Sequence, residues 1–272
     1  MVFVIISLII GFLTAFAGSI AGLGGGVILV PSLLFLSDYF DSFSWVTPQR
    51  IVAISLIVMI FTGMSSAISY IRHKRVDFKL GALFLVGSIP GGIAGAYING
   101  FLDADVFSLI FGGIMIFVSL LFFLPRRQGG SSLFKKGMER VKTVAGEDYH
   151  YTVPISLGMV LAFLVGTLSG LLGIGGGSLM VPAMILLFQI PPHIATATSM
   201  FMIFFAVIPS SITHIGLGHV DWFRTLFFIP GAYLGGMTGA YVNRRMNAKS
   251  VEWVLRILLI LIGIRLISQG LG

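Results

Sequence analysis

Apolar residues run along this chain in blocks of helical length, separated by short joints of glycine, proline, serine and charge. Read as helices, the blocks cover roughly 2–21, 25–37, 49–72, 78–99 and 105–124, then 152–172, 176–189, 193–215, 222–243 and 248–268. The third, fourth and fifth of each set are long enough to cross about 30 Å of hydrocarbon. The second rises only about 20 Å and carries Pro31 or Pro182 near its start. The first two blocks of each set are therefore expected to form a broken or partly re-entrant hairpin. Blocks of this length do not suit barrel strands, so the expected class is an all-α polytopic membrane protein.

The two sets are copies. Gly22-Leu23-Gly24-Gly25-Gly26 with Pro31 recurs 151 positions later as Gly173-Ile174-Gly175-Gly176-Gly177 with Pro182. Beyond these motifs the offset becomes 144, pairing Ala53 with Ala197, Ser55 with Ser199, Ser66 with Ser210 and Asp77 with Asp221. Gly87, Gly91 and Gly95 match Gly231, Gly235 and Gly239, and Asn99 matches Asn243. The expected layout is a first repeat at 1–125, a basic linker at 126–150 and a second repeat at 151–272. The linker holds Arg126, Arg127, Lys135, Lys136, Arg140 and Lys142 around Gly129-Gly130-Ser131-Ser132. It reads as a solvated loop with a short helix near 132–144. A duplicated membrane unit with glycine-broken segments at equivalent positions points to a transporter site between two halves.

Composition agrees with burial in lipid: 57% of the 272 residues are hydrophobic and 10% charged, against about 25% charged in a soluble domain. The net charge of +7 calls for no nucleic-acid partner, because Lys and Arg collect in cytoplasmic loops. With no Cys in the chain, disulfides and thiolate metal sites are excluded. Met1-Val2-Phe3-Val4 lacks the basic start of a cleavable signal, so 1–21 is expected to be a retained membrane helix.

Charge placement then predicts topology. In the first half the loop after the third block has Arg72, Lys74, Arg75 and Lys79, and the loop after the fourth has only Asp103 and Asp105. In the second half the bias reverses: His214 and His219 follow the third block, and Arg244, Arg245 and Lys249 follow the fourth. Equivalent loops facing opposite sides mean two inverted-topology repeats of about five helical elements each. The basic linker falls in the cytoplasm and both termini outside it, in a multi-pass cell membrane protein.

Candidate chemistry centres on the glycine motifs. Glycines at 22, 24, 25 and 26, and at 173, 175, 176 and 177, remove side chains and let backbone amides converge. Each motif opens a short helix whose N-terminal amides and positive dipole end would face an anion. The competing reading is a tight turn with close packing. Ser55 and Ser199, with Ser66 and Ser210 three turns further on, share one helix face. They are expected to contact the anion or its path, against the alternative of bonding back to their own helix. The Gly87-Gly91-Gly95 and Gly231-Gly235-Gly239 stripes read as close helix packing. Asp77 and Asp221 read as N-caps. Glu252 and Arg256 have the spacing of a helical pair, and Arg265 is placed to snorkel. His214 and His219 read as a polar loop, with no carboxylate cluster for a metal.

No nucleophile–base arrangement, nucleotide fingerprint or phosphate loop with a lysine occurs, so neither an enzyme nor a resident cofactor is expected. In these motifs the chain resembles the TauE/SafE family, the sulfite exporter group. The resemblance lies in Ala17-Gly18 through Gly26 and Pro31, in Ser169-Gly170 through Gly177 and Pro182, and in Ala53 to Ser55 with Ala197 to Ser199. It covers essentially the whole chain. It implies a carrier of the bacterial inner membrane for small, sulfur-containing anions: sulfite, thiosulfate or an organosulfonate. A secondary transporter working by alternating access would use a coupling proton or sodium ion, with the small anion and the lipid bilayer as its other partners. The competing readings are an anion channel, a carrier of a non-sulfur substrate, and a membrane scaffold subunit without flux of its own.

Overall fold

The computed structural model describes residues 2–121, 136–144 and 146–247, with residues 250, 253 and 257. The last expected block, with Glu252, Arg256 and Arg265, lies outside the described residues, as do linker residues 122–135. The helices are α1 (Val2–Ala21), α2 (Gly26–Tyr39), α3 (Pro48–Arg72), α4 (Phe78–Asn99), α5 (Ala104–Leu121), α6 (Ile155–Leu172), α7 (Gly177–Leu186), α8 (Pro192–Gly216) and α9 (Trp222–Arg245). Two strands, β1 (Met138–Val144) and β2 (Glu147–Val153), precede α6. Among the described residues, five helices are long and apolar enough to cross a membrane: α1, α3, α4, α6 and α8.

Local chemistry explains where the helices start. Pro48 and Pro192 occupy the first turns of α3 and α8, where a missing N–H costs nothing. The Asp77 and Asp221 carboxylates accept from the Leu80 and Arg224 amides at 3.2 and 3.1 Å. Both are N-caps, as their spacing predicts. α7 has only 10 residues against 14 for α2, so it ends about one turn earlier than the pattern suggests.

Helices pair across the repeats rather than within them. α4 lies on α6 and α1 on α9. A Cβ added at Gly87, Gly91 or Gly95 would collide with the carbonyl oxygens of Met159, Phe163 or Thr167. At Gly231, Gly235 and Gly239 it would collide with those of Leu8, Phe12 and Phe16. Both stripes thus bring two backbones into direct contact, as small residues do in membrane bundles. α3 and α8 cross between these pairs, and Met59 and Ile203 on them are fully buried.

The linker departs from expectation. Its described part is an antiparallel hairpin with Val144 opposite Glu147 and Met138 opposite Val153, not a helix near 132–144. Exposure alternates along Met138–Val144, and Gly146 takes φ 88° at the turn. A period of two with glycine at the turn is the mark of a hairpin.

The hairpin is anchored to the helices by one buried carboxylate. Arg140 donates to Asp77 from Nε at 3.0 Å and from its terminal nitrogen at 2.7 Å. The Tyr151 hydroxyl donates to Asp77 at 2.7 Å. The Asp77 amide donates to Thr198 Oγ1 on α8 at 3.0 Å. Burial raises the Asp77 pKa, but the hydrogen bonds from Arg140, Tyr151 and Leu80 outweigh it and hold the carboxyl below its ordinary value.

Candidate functional site

The two glycine motifs meet at the centre of the bundle. A Cβ added at Gly26 would collide with the Gly173 carbonyl, and one at Gly177 with the Gly22 carbonyl. A Cβ added at Gly175 would lie 3.1 Å from the Leu23 carbonyl. Only glycine allows this approach. Gly25, at φ 94°, turns the chain into α2, and Gly173, at φ 67°, closes α6. Both are left-handed conformations that a side chain would strain.

Reciprocal hydrogen bonds fasten the junction. Ser55 Oγ donates to the Gly173 carbonyl at 2.6 Å, and Ser199 Oγ to the Gly22 carbonyl at 2.7 Å. Asn99 Nδ2 donates to Leu171 O at 2.8 Å, and Asn243 Nδ2 to Ile20 O at 2.6 Å. Tyr70 donates to Ser19 O at 3.0 Å, and the matching His214 Nε2 bonds Gly170 O at 3.1 Å. In each pair the donor comes from the region of offset 144 and the acceptor from the region of offset 151. The chain spacing differs, yet the contacts coincide.

The expected serines therefore divide. Ser55 and Ser199 lie at the motifs with their hydroxyl hydrogens already given to carbonyls. Ser66 and Ser210 lie against Gly236 of α9 and Gly92 of α4, beside the glycine stripes. Ser66 donates to Gly236 O at 3.0 Å and bonds Ser19 at 2.8 Å. Ser210 bonds back to Ala206 O at 3.3 Å and faces Gly92.

Donors without acceptors sit at both helix starts. Among the described residues, the amides of Gly25, Gly26 and Val27 find no acceptor, nor do those of Gly175, Gly176 and Gly177. All of these residues except Gly176 are buried. The first amides of a helix have no intrahelical partner, and leaving one dry costs about 1–3 kcal/mol. A small cavity of about 10 Å³ touches Gly176, Gly177, Ser199 and Ser88. Ser88 Oγ is buried and unpartnered. Gly176, Gly177 and Ser88, each with an unpaired donor, thus line one cavity beside α7.

Local pattern hides Ser88, because it sits inside a glycine stripe that packs two helices. Its signal was a break in the repeat: the position matching Ser88 is Ala232. His214 is a correction of another kind. It is fully buried at the end of α8 and its Nδ1 lies 2.9 Å from His219 Nδ1, so it is not a loop residue. Among the described residues no group of three or more His, Cys, Asp or Glu could hold a metal.

The comparisons with known proteins bear on the whole bundle. The family model described as sulfite exporter TauE/SafE matches residues 7–266. The probable membrane transporter protein YunE of Bacillus subtilis (strain 168) is 47% identical over 268 residues, covering 98% of each chain. A probable membrane transporter protein of Xylella fastidiosa (strain Temecula1 / ATCC 700964) is 25% identical over 241 residues, or 88% of this chain and 84% of its own. The probable membrane transporter protein MJ0441 of Methanocaldococcus jannaschii is 23% identical over 270 residues, covering 94% of this chain and 92% of its own. No solved structure matches the chain. With a match across nearly its full length and, among the described residues, five helices long and apolar enough to cross a membrane, the chain belongs to the sulfite exporter TauE/SafE family of membrane transporters.

Proposed function

We propose that this protein is a secondary transporter of small, sulfur-containing anions, carried by alternating access between two inverted repeats. The observation that carries the reading is the set of buried amide donors without acceptors at the starts of α2 and α7. An oxyanion in the cavity beside α7 would accept from Gly176, Gly177 and Ser88, and the α7 dipole would favour its charge. The enclosed space, about 10 Å³, admits about one water. Substrate entry therefore requires the two motifs to separate, which rocking of one half against the other would do.

Orientation follows from charge. Arg72, Arg75, Arg244 and Arg245 share one end of the bundle with the Arg140 hairpin. The excess of Lys and Arg makes that end cytoplasmic. The linker then lies inside and both termini outside a bacterial inner membrane. Without an ATP site, a proton or sodium gradient or the membrane potential drives the cycle.

Flux of sulfite, thiosulfate and a sulfonate into proteoliposomes tests the reading. Gly176→Leu is the informative variant, because a Cβ there meets only Val165 Cγ1, at 3.6 Å. We expect a folded protein with flux lost for whichever anion is carried. Unchanged flux, or saturation-free current with voltage, sinks the carrier site. Labelling that puts the N-terminus on the linker side sinks the inverted arrangement.

A further inference from the structure

The basic end of the bundle carries more than a topology signal. A cavity of about 370 Å³ opens between the ends of α3 and α9 and the tip of the hairpin, lined by His73, Arg75, Val144, Tyr241, Arg244 and Arg245. Among the described residues no carboxylate lines it or pairs with Arg75, Arg244 or Arg245. The arginines meet ring nitrogens and a backbone carbonyl instead. Arg244 meets His73, and Arg75 donates to the Arg244 carbonyl at 3.3 Å. Arg244 Nε is buried without a partner. Burial and the neighbouring Arg244 charge hold the Arg75 pKa below its ordinary value, partly offset by Tyr70. Gathered cations with no counter-charge raise the affinity for an anion.

A second cavity, of about 440 Å³, shares His73, Tyr241 and Arg244 with the first. It continues away from the charged end, past Ser69 and Ser65 on α3 and Thr238 and Tyr233 on α9. From Arg72 to Ser65 this is about 10 Å of helix, and from Arg244 to Tyr233 about 16 Å. The longer of the two is the depth of one leaflet, half of a hydrocarbon core about 30 Å thick. Its apolar wall opens sideways to the bilayer, with Ile68 41% and Met237 45% exposed.

We propose that this face binds an anionic phospholipid, its phosphodiester on Arg75 and Arg244 and one acyl chain along Ile68 and Met237. A free inorganic anion would match the guanidinium groups alone and leave the groove unused. The repeat provides its own control. The positions matching Arg72, His73 and Arg75 are Gly216, Leu217 and His219, and those matching Arg244 and Arg245 are Gly100 and Phe101. The site belongs to one side of the membrane only.

Native mass spectrometry of the purified full chain, delipidated and then given phosphatidylglycerol or phosphatidylcholine, tests the proposal. The protein should retain phosphatidylglycerol in preference by about tenfold or more. Arg75→Gln with Arg244→Gln should bring that preference close to unity. Ile68→Trp should lower phosphatidylglycerol retention with every charge in place. Millimolar inorganic phosphate or sulfite should leave the lipid bound. A parallel thermal unfolding scan identifies a variant that has lost its fold, and the other variant then decides. An unchanged preference in the charge variant, stripping of the lipid by either free anion, or a second copy of the chain on this face in place of lipid would overturn the site.

Discussion

The hydroxyl of Ser55 donates to the carbonyl of Gly173 across 2.6 Å, tying the third helix of one half to the glycine turn of the other. Ser199 and Gly22 repeat the bond in the opposite sense at 2.7 Å. Each glycine turn is thus held by a helix of the other copy. Interlocking of this kind lets movement at one turn reach the other, because each turn carries a holding contact from the opposite half.

Removing either hydroxyl should loosen the junction. Ser55→Ala and Ser199→Ala each leave one buried carbonyl with fewer donors, and each should cost about 1 kcal/mol. The apparent unfolding temperature in detergent should fall in both single variants by similar amounts. A fall in only one would mean that the two turns are not held alike.

The helix stripes should tolerate no side chain. Gly95→Ala drives a methyl into the Thr167 carbonyl and Gly239→Ala into that of Phe16. Backbone cannot swing aside as a flexible side chain can, so each should cost about 3 kcal/mol or more. Gly113→Ala meets nothing within 4 Å and should be neutral. Yield and thermal unfolding of the three variants decide the matter, and equal behaviour would refute the close approach.

Ser88 separates binding from stability. Its hydroxyl is buried without a partner, so Ser88→Ala removes an unsatisfied group and should leave stability unchanged or slightly higher. If the hydroxyl donates to substrate, the KM for transport should rise about fivefold. A drop in stability without a change in KM would assign Ser88 to structure.

Acid should release the hairpin. Because the folded Asp77 pKa is depressed, its stabilising contribution is complete above the unfolded value of about 3.9. That contribution is lost as pH falls through this value toward the folded one. Asp77→Asn should mimic the loss at neutral pH, costing about 3 kcal/mol because Arg140 is left without its partner. Trypsin cleavage at Lys142 should then accelerate at pH 7. An unaltered cleavage rate would show that Asp77 does not hold the hairpin.

Much of this molecule was legible one residue at a time. Thr47 accepts from Arg50 at the start of α3 at 3.4 Å, and Asp77 and Asp221 cap α4 and α9. Caps, prolines and apolar runs act within a few residues, so local pattern reveals them. The hairpin was not legible: Met138, Val141 and Val144 recur every third residue, a spacing closer to a helix than a strand, and the alternation exists only in the exposure of the folded strand.

The chain alone determined that it belongs in a bilayer, that it contains one unit twice, and that glycine turns open two short helices. Those properties depend on composition and spacing, which need no knowledge of distant contacts. Only the tertiary structure decided that each copy lends its serine to the other copy's turn and that Ser88 lines the cavity beside α7. It also decided that the arginines of α9 and the loop after α3 share one groove. Such choices depend on which backbones can approach, and that is settled when α1 lies on α9 and α4 on α6.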